Sequence, residues 1–183
     1  MKKFAVIGTS CSGKTTLVYN VVGRLRKEGI HIEGLTSSDR IYPFEQKKLD
    51  YLDSAQAYVI IQQAFLELRS EVRDDIDIIL SDRSVLDFFA YYDYCFKETV
   101  HPYFQALKDL IDSWIRSYEE IYYVDPLPWV NDNKRPNDEF RLGVDSVLKS
   151  YIKNYSNIIH VQAIDREDFI ANRILEIWKA SKV

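Results

Sequence analysis

Gly8-Thr9-Ser10-Cys11-Ser12-Gly13-Lys14-Thr15 satisfies G-x-x-x-x-G-K-[ST] at every fixed position, and its surroundings decide the fold. Upstream, Phe4–Gly8 is a short unbroken apolar run, the pattern of a strand buried on both faces. Downstream, Leu17, Val21 and Leu25 repeat at four-residue spacing, with Val18 and Val22 beside them, so Lys14–Glu28 reads as a helix. Arg24, Arg26 and Lys27 fill its last turn and Gly29 stops it. A strand, a glycine-bearing loop and a helix in this order form a phosphate cradle. The glycines let successive backbone N–H groups converge on one anion, and the helix adds its positive end.

Strand and helix patterns alternate along the rest of the chain. Ile30–Ser38, Ile76–Ser81, Ile121–Val124 and Ile158–Ala163 read as strands. Leu49–Arg73, Ser84–Phe96, Pro102–Ser117, Asp138–Asn154 and Asp165–Lys179 read as helices. Such alternation predicts right-handed βαβ units: an α/β, three-layer αβα sandwich on a five-stranded parallel sheet. Ligands then bind beyond the carboxyl ends of the strands, at Gly8–Thr16, Ser37–Arg40, Asp82–Ser84, Asp125 onward and Ala163–Asp165. The whole span 1–183 is expected to be one domain, with a lid over about 126–141.

In the cradle, Gly8, Ser10, Cys11, Ser12, Gly13, Lys14, Thr15 and Thr16 are the expected nucleotide contacts. Lys14 suits β- and γ-phosphates, Thr15 offers a hydroxyl to Mg²⁺, and Thr16 is placed for the α-phosphate. ATP and Mg²⁺ are the expected cofactors. Cys11 stands at a variable position of the motif.

Asp82 directly follows a buried strand, where a carboxylate holds Mg²⁺ or takes an acceptor's proton. Arg83 is next and can clamp an anionic acceptor. Ser84 and Asp87 form a capping-box pattern at the start of their helix. Asp39, in Thr36-Ser37-Ser38-Asp39-Arg40, competes with Asp82 as base and ranks second. The segment Leu127–Pro136 carries Lys134 and Arg135 and precedes a helix with Arg141 in its first turn. Positive charge there opposes the helix dipole, so Arg141 serves either the lid or a local pair with Asp138. In Phe88–Tyr94, Tyr91 is the candidate to stack on an acceptor base. Gln62 and Gln63 read as an exposed polar face, with a base-edge contact as the alternative.

Asp82-Arg83-Ser84 resembles the DRS/ERS element of deoxynucleoside and thymidylate kinases. With Gly8–Thr15 and the Pro-aromatic, Asp, Arg loop, nearly the full chain resembles the AAA_28 group of P-loop proteins. That group includes nicotinamide riboside kinase domains, and phage DNA-base kinases resemble it too. The group often has a glycine after the loop's Asp; Asn133 stands here. The resemblance implies ATP- and Mg²⁺-dependent phosphoryl transfer. Asp82 would be the catalytic or metal-linked carboxylate, Arg83 an acceptor-side contact, and Arg135 and Arg141 lid arginines.

The expected acceptor is a small nucleoside- or nucleotide-like molecule. A hydroxyl on a modified base in DNA is the alternative acceptor, and a nucleotide-responsive switch with slow hydrolysis is the alternative class. The net charge of −4 gives no basic footprint for stable duplex binding. No Asn-Lys-x-Asp guanine signature occurs. Two cysteines without a CxxC pair give no disulfide framework or zinc site. The apolar run after Met1 is too short for a signal peptide, and no run reaches membrane-span length. A cytoplasmic protein, compatible with a homodimer, is expected.

Overall fold

The computed structural model describes residues 1–37, 39, 53–96, 103–129 and 137–182. In chain order the elements are β1 (Lys2–Ile7), α1 (Lys14–Lys27), β2 (Ile32–Leu35), α2 (Asp53–Glu71), β3 (Ile78–Asp82) and α3 (Val85–Phe96). Then come α4 (Phe104–Ile115), β4 (Glu120–Val124), α5 (Asp138–Ile152), β5 (Ile158–Val161) and α6 (Arg166–Ala180). The five strands form one sheet in the order β2-β3-β1-β4-β5, and every pairing is parallel. The expected α/β sandwich is therefore present. The second strand is shorter than the expected Ile30–Ser38: the ladder to β3 ends with Leu35 opposite Ser81, and Asp39 lies beyond it.

β1 lies at the centre and is covered on both faces, which is why its run of side chains is apolar without alternation. Phe4 and Val6 face one layer, packing with Leu17, Val21 and Leu25 of α1 and Ile170 and Ile174 of α6. Ala5 and Ile7 face the other, packing with Ile60 of α2, Leu86 and Phe89 of α3, Ile111 of α4 and Leu148 of α5. Because β3 and β4 flank β1 with Asp82 and Tyr122 both opposite Val6, the segments leaving all three strands meet at one sheet edge. No helix among the described residues is long and apolar enough to cross a membrane.

Helix α2 departs from its expected orientation. Gln63, read from sequence as exposed, is fully buried together with Gln56, Glu67 and Ser70. Glu67 accepts hydrogen bonds from Tyr118 Oη (2.6 Å), Trp114 Nε1 (2.7 Å) and Gln63 Nε2 (2.8 Å), and Lys3 Nζ lies 3.4 Å away. Burial pushes the Glu67 carboxyl above its ordinary value, although Lys3 and these donors pull the other way. α2 thus turns a polar stripe inward beside its buried Ala55, Val59, Ile60 and Ala64, because Lys3 of β1, Trp114 of α4 and Tyr118 in the turn after it satisfy Glu67.

Candidate functional site

β1 ends at Ile7 and the chain turns sharply into the loop. Gly8 has φ +146°, and a Cβ there would stand 2.5 Å from the Val124 carbonyl oxygen, so no other residue fits. Gly13 has φ +76°, and a Cβ there would stand 2.7 Å from Arg166 Nη2. Among the described residues no side chain caps the N-terminus of α1, so its first N–H groups point into the loop. Lys14 folds back along it, with Nζ donating to the Thr9 carbonyl (2.5 Å) and to Ser12 Oγ (2.9 Å). The buried hydroxyls of Thr9 and Ser10 have no hydrogen-bond partner among the described residues.

Two carboxylates tie this loop to its surroundings. Thr15 Oγ1 donates to Asp82 Oδ2 at 2.6 Å, joining the start of α1 to the end of β3. Asp87 is buried in α3, its Oδ1 accepting from Gly8 N and its Oδ2 from Ser84 N, each at 2.9 Å. Ser84 Oγ in turn accepts from Leu86 N at 3.1 Å, so the expected capping box is formed and also grips the phosphate loop. Burial raises the Asp87 carboxyl above its ordinary value; Lys14, Arg83 and the two backbone N–H groups offset part of that.

Arg83 sits between these features in a left-handed backbone conformation (φ +83°) that a bulky residue adopts only under constraint. Its N–H donates to the Val6 carbonyl at 3.0 Å, and its guanidinium is buried. Nη2 lies 3.7 Å from Asp39 Oδ2, and Ser37 Oγ donates to Asp39 Oδ1. The rings of Phe88 and Tyr91 lie 5.6 Å from the guanidinium carbon. Burial works against the charge, but Asp39, Tyr91, Asp87 and Asp82 outweigh it and raise the Arg83 pKa. The Tyr91 hydroxyl also accepts from Ser10 N at 3.3 Å, so this side chain spans the phosphate loop and the arginine.

On the opposite flank, Leu127 N donates to the Cys11 carbonyl at 3.0 Å. Arg141 Nη1 donates to the Leu127 carbonyl at 2.7 Å, and its Nε and Nη2 both reach Asp138. The local pair weighed for Arg141 is therefore formed, while its guanidinium also faces the Trp129 ring at 5.3 Å. Lys134 and Arg135 lie outside the described residues, as do Arg40 and Asn133. Arg166 Nη1 donates to the Ser12 carbonyl at 3.0 Å, and a cleft of about 620 Å³ opens there, lined by Gly13, Thr16, Asn20, Leu127, Ala163 and Arg166.

Lys14, Thr15 and Asp82 are thus brought together, and Asp39 meets Arg83 beside them. Sequence reasoning treated Asp87 as a helix cap alone and passed over Arg166. The strand-end rule stopped at Asp165, one residue short of Arg166. Asp87 had a signal in its capping-box spacing, but its grip on Gly8 joins positions 79 residues apart.

No curated protein matches the chain in sequence. In fold it is similar to NadR protein solved in complex with NR, at TM-score 0.71 and 16% identity, over 96% of this chain and 49% of that one. NadR protein in complex with NAD and AMP-PNP gives TM-score 0.68 and 17% identity, over 96% and 49%. The chain spans about half the length of those NadR chains. Deoxyadenosine kinase from M. mycoides, with products dCMP and a flexible dCDP bound, gives TM-score 0.68 and 15% identity, over 95% of this chain and 99% of that one. At such identities the likeness is one of fold. The sequence itself carries the family: the AAA_28 model, described as an AAA domain, matches residues 3–168, from β1 through the phosphate loop to the first turn of α6, and the chain belongs to that family.

Proposed function

We propose that the protein is a phosphotransferase that takes the γ-phosphoryl group of ATP, with Mg²⁺, to a small nucleoside- or nucleotide-like acceptor. The observation that carries this reading is the Thr15–Asp82 hydrogen bond beside Lys14, with the Asp39–Arg83 pair on the far side of Asp82. A switch needs the phosphate cradle and segments that sense the γ-phosphate, but no site for a second reactant. A buried arginine held by a carboxylate next to that cradle suits a second, anionic or polar reactant.

The residues present fit a nucleotide and its metal. Gly8 leaves no room for a side chain and Gly13 holds a φ of +76° that disfavours one, the Thr9 and Ser10 hydroxyls are unmatched among the described residues, and Thr15 and Asp82 form a hard oxygen donor set. Mg²⁺ bound there would neutralise charge on the β- and γ-phosphates. On this reading the N–H groups of Gly8–Thr16 hold the phosphates and Thr16 faces the α-phosphate. Lys14 leaves the Thr9 carbonyl for the β- and γ-oxygens. Asp82, which accepts from Thr15 Oγ1, would hold the metal with it and is the first-ranked acceptor of the substrate's proton. Asp39 aims Arg83 at the acceptor, and Tyr91 offers a ring beside it. Arg141 and Arg135 would bring lid charge to the transferring group. The nucleoside-type ligands named for the similar folds, NR and dCMP, support this acceptor class.

An assay of ADP release from ATP over nucleosides, nucleoside monophosphates and nicotinamide riboside tests the proposal, beside radiolabel transfer to DNA carrying hydroxymethylated bases. Acceptor-dependent ADP release with one small acceptor class is the expected result. Label transfer to DNA alone would replace the acceptor, and ADP release that ignores every acceptor would remove the transferase reading.

A further inference from the structure

Helix α3 turns one face to the phosphate loop. Asp87 and Tyr91 stand one turn apart on it, and each accepts a loop N–H: Asp87 Oδ1 from Gly8 N at 2.9 Å and Tyr91 Oη from Ser10 N at 3.3 Å. The two acceptors differ in what they have left to offer. Both oxygens of Asp87 are taken up by N–H donors. A phenol that accepts from an N–H still holds a proton to donate, and among the described residues no group takes the proton of Tyr91. Ser10 Oγ, on the residue that Tyr91 reaches, is buried without a partner there as well.

A second carboxylate at position 91 would satisfy Ser10 N equally well. It would also set a negative charge against any phosphate entering the loop. A phenol satisfies the loop and offers the phosphate a donor. Packing fixes where that donor stands. The Tyr91 ring lies 5.6 Å from the Arg83 guanidinium carbon and 6.2 Å from the Phe140 ring in the first turn of α5. Contacts to the loop, to the turn after β3 and to α5 leave the half-buried side chain little freedom. Tyr91 therefore touches both the loop assigned to ATP and the arginine assigned to the acceptor, and its hydroxyl stands on the path between them.

We propose that Tyr91 is a donor-side contact: its hydroxyl, held by Ser10 N, donates a hydrogen bond to an oxygen of the γ-phosphoryl group of ATP. The inference rests on the phosphotransferase reading and adds to it a residue that tells a nucleoside triphosphate from a diphosphate. In the transfer, the bond from the γ-phosphorus to the bridging oxygen breaks and its electron pair leaves with ADP. The acceptor oxygen forms the new bond to phosphorus, and its proton passes to the carboxylate that serves as base. Tyr91 keeps its own proton throughout.

Titration calorimetry of the full chain with Mg²⁺ and either ADP or AMP-PNP tests this without any acceptor, in wild type, Tyr91→Phe and Tyr94→Phe. Tyr91→Phe keeps the ring and its packing, so the variant folds, as a melting curve checks. Losing the Ser10 N contact alone would weaken both nucleotides alike, whereas losing a γ-phosphoryl contact weakens AMP-PNP selectively. The expected result in Tyr91→Phe is a rise of roughly tenfold or more in the Kd of AMP-PNP relative to that of ADP, the size of a lost hydrogen bond to a charged group. Tyr94→Phe removes a hydroxyl from the same helix, where its ring meets Phe140 edge-on at 5.2 Å, and should leave the ratio of the two constants unchanged. A ratio unmoved in Tyr91→Phe, or moved equally by Tyr94→Phe, would overturn the inference and leave the phosphotransferase reading standing. A wild-type protein that binds neither nucleotide would remove both.

Discussion

The loop Gly8–Thr16 and the turn Asp82–Ser84 are joined by one hydrogen bond, yet they are made of different material. The loop is backbone: two glycines at positive φ, a helix start with no side-chain cap, and one lysine folded along it. The turn is side chain: a carboxylate, a buried arginine in a strained conformation and the aromatic rings around it. Backbone N–H groups bind any phosphate chain of the right curvature, so on the proposed function the loop would specify a class of donor. Charged side chains held by nonlocal partners can be changed one at a time, so on the proposed function the turn is where acceptor choice would vary within one fold.

Removing the loop's one cation is the strongest way to test this division. Lys14→Ala is expected to lower turnover by roughly 10²–10³-fold or more, with every acceptor affected alike. Steady-state assays together with a melting curve check it; full turnover in Lys14→Ala would dissolve the distinction by showing that the loop takes no part in transfer. A smaller and more selective effect is expected from Arg83→Ala. Losing charge-assisted hydrogen bonds of about 1.5–3 kcal/mol corresponds to tenfold to hundredfold in kcat/KM for the acceptor. ATP affinity, read by titration calorimetry, should stay close to wild type. An equal loss of ATP affinity would place Arg83 on the donor side.

The same contrast explains what was legible in the sequence. The phosphate loop and the parallel sheet were readable because local pattern specifies them: Phe4–Ile7 is buried on both faces and α1 buries Leu17, Val21 and Leu25 as its periodicity predicts. Helix α2 was readable as a helix but not in its facing, since periodicity gives two faces without saying which turns inward. Lys3, Trp114 and Tyr118 decide that by satisfying Glu67, and they come from β1 and from the end of α4 and the turn after it. Asp39 and Arg83 were named separately, but only the fold brings residues 44 positions apart to 3.7 Å. Arg141 was flagged by its unfavourable place in the helix dipole, and Asp138 is the local answer to that.

Asp87 is where the two regions meet, and the smallest of the three effects is expected there. One oxygen holds Gly8 N and the other holds Ser84 N, so an amide at this position must turn its NH₂ toward one of two donors. Asp87→Asn should therefore lower stability by about 1–3 kcal/mol, the cost of a buried donor left unmet. The loss should depend on pH in a definite direction. Burial holds the folded-state pKa of Asp87 above the ordinary 3.8, so the folded protein binds this proton more tightly than the unfolded chain. Its contribution is fully present below the ordinary carboxylate value and falls as pH rises through the folded-state value. The stability gap between wild type and Asp87→Asn should then be wider in acid and narrow toward neutrality, as chemical denaturation at a series of pH values would read. A gap that widens toward neutrality would mean that Lys14, Arg83 and the two N–H groups outweigh burial. Asp87 would then be a charged strut between loop and turn, and the donor and acceptor regions would be coupled by electrostatics rather than by hydrogen-bond geometry.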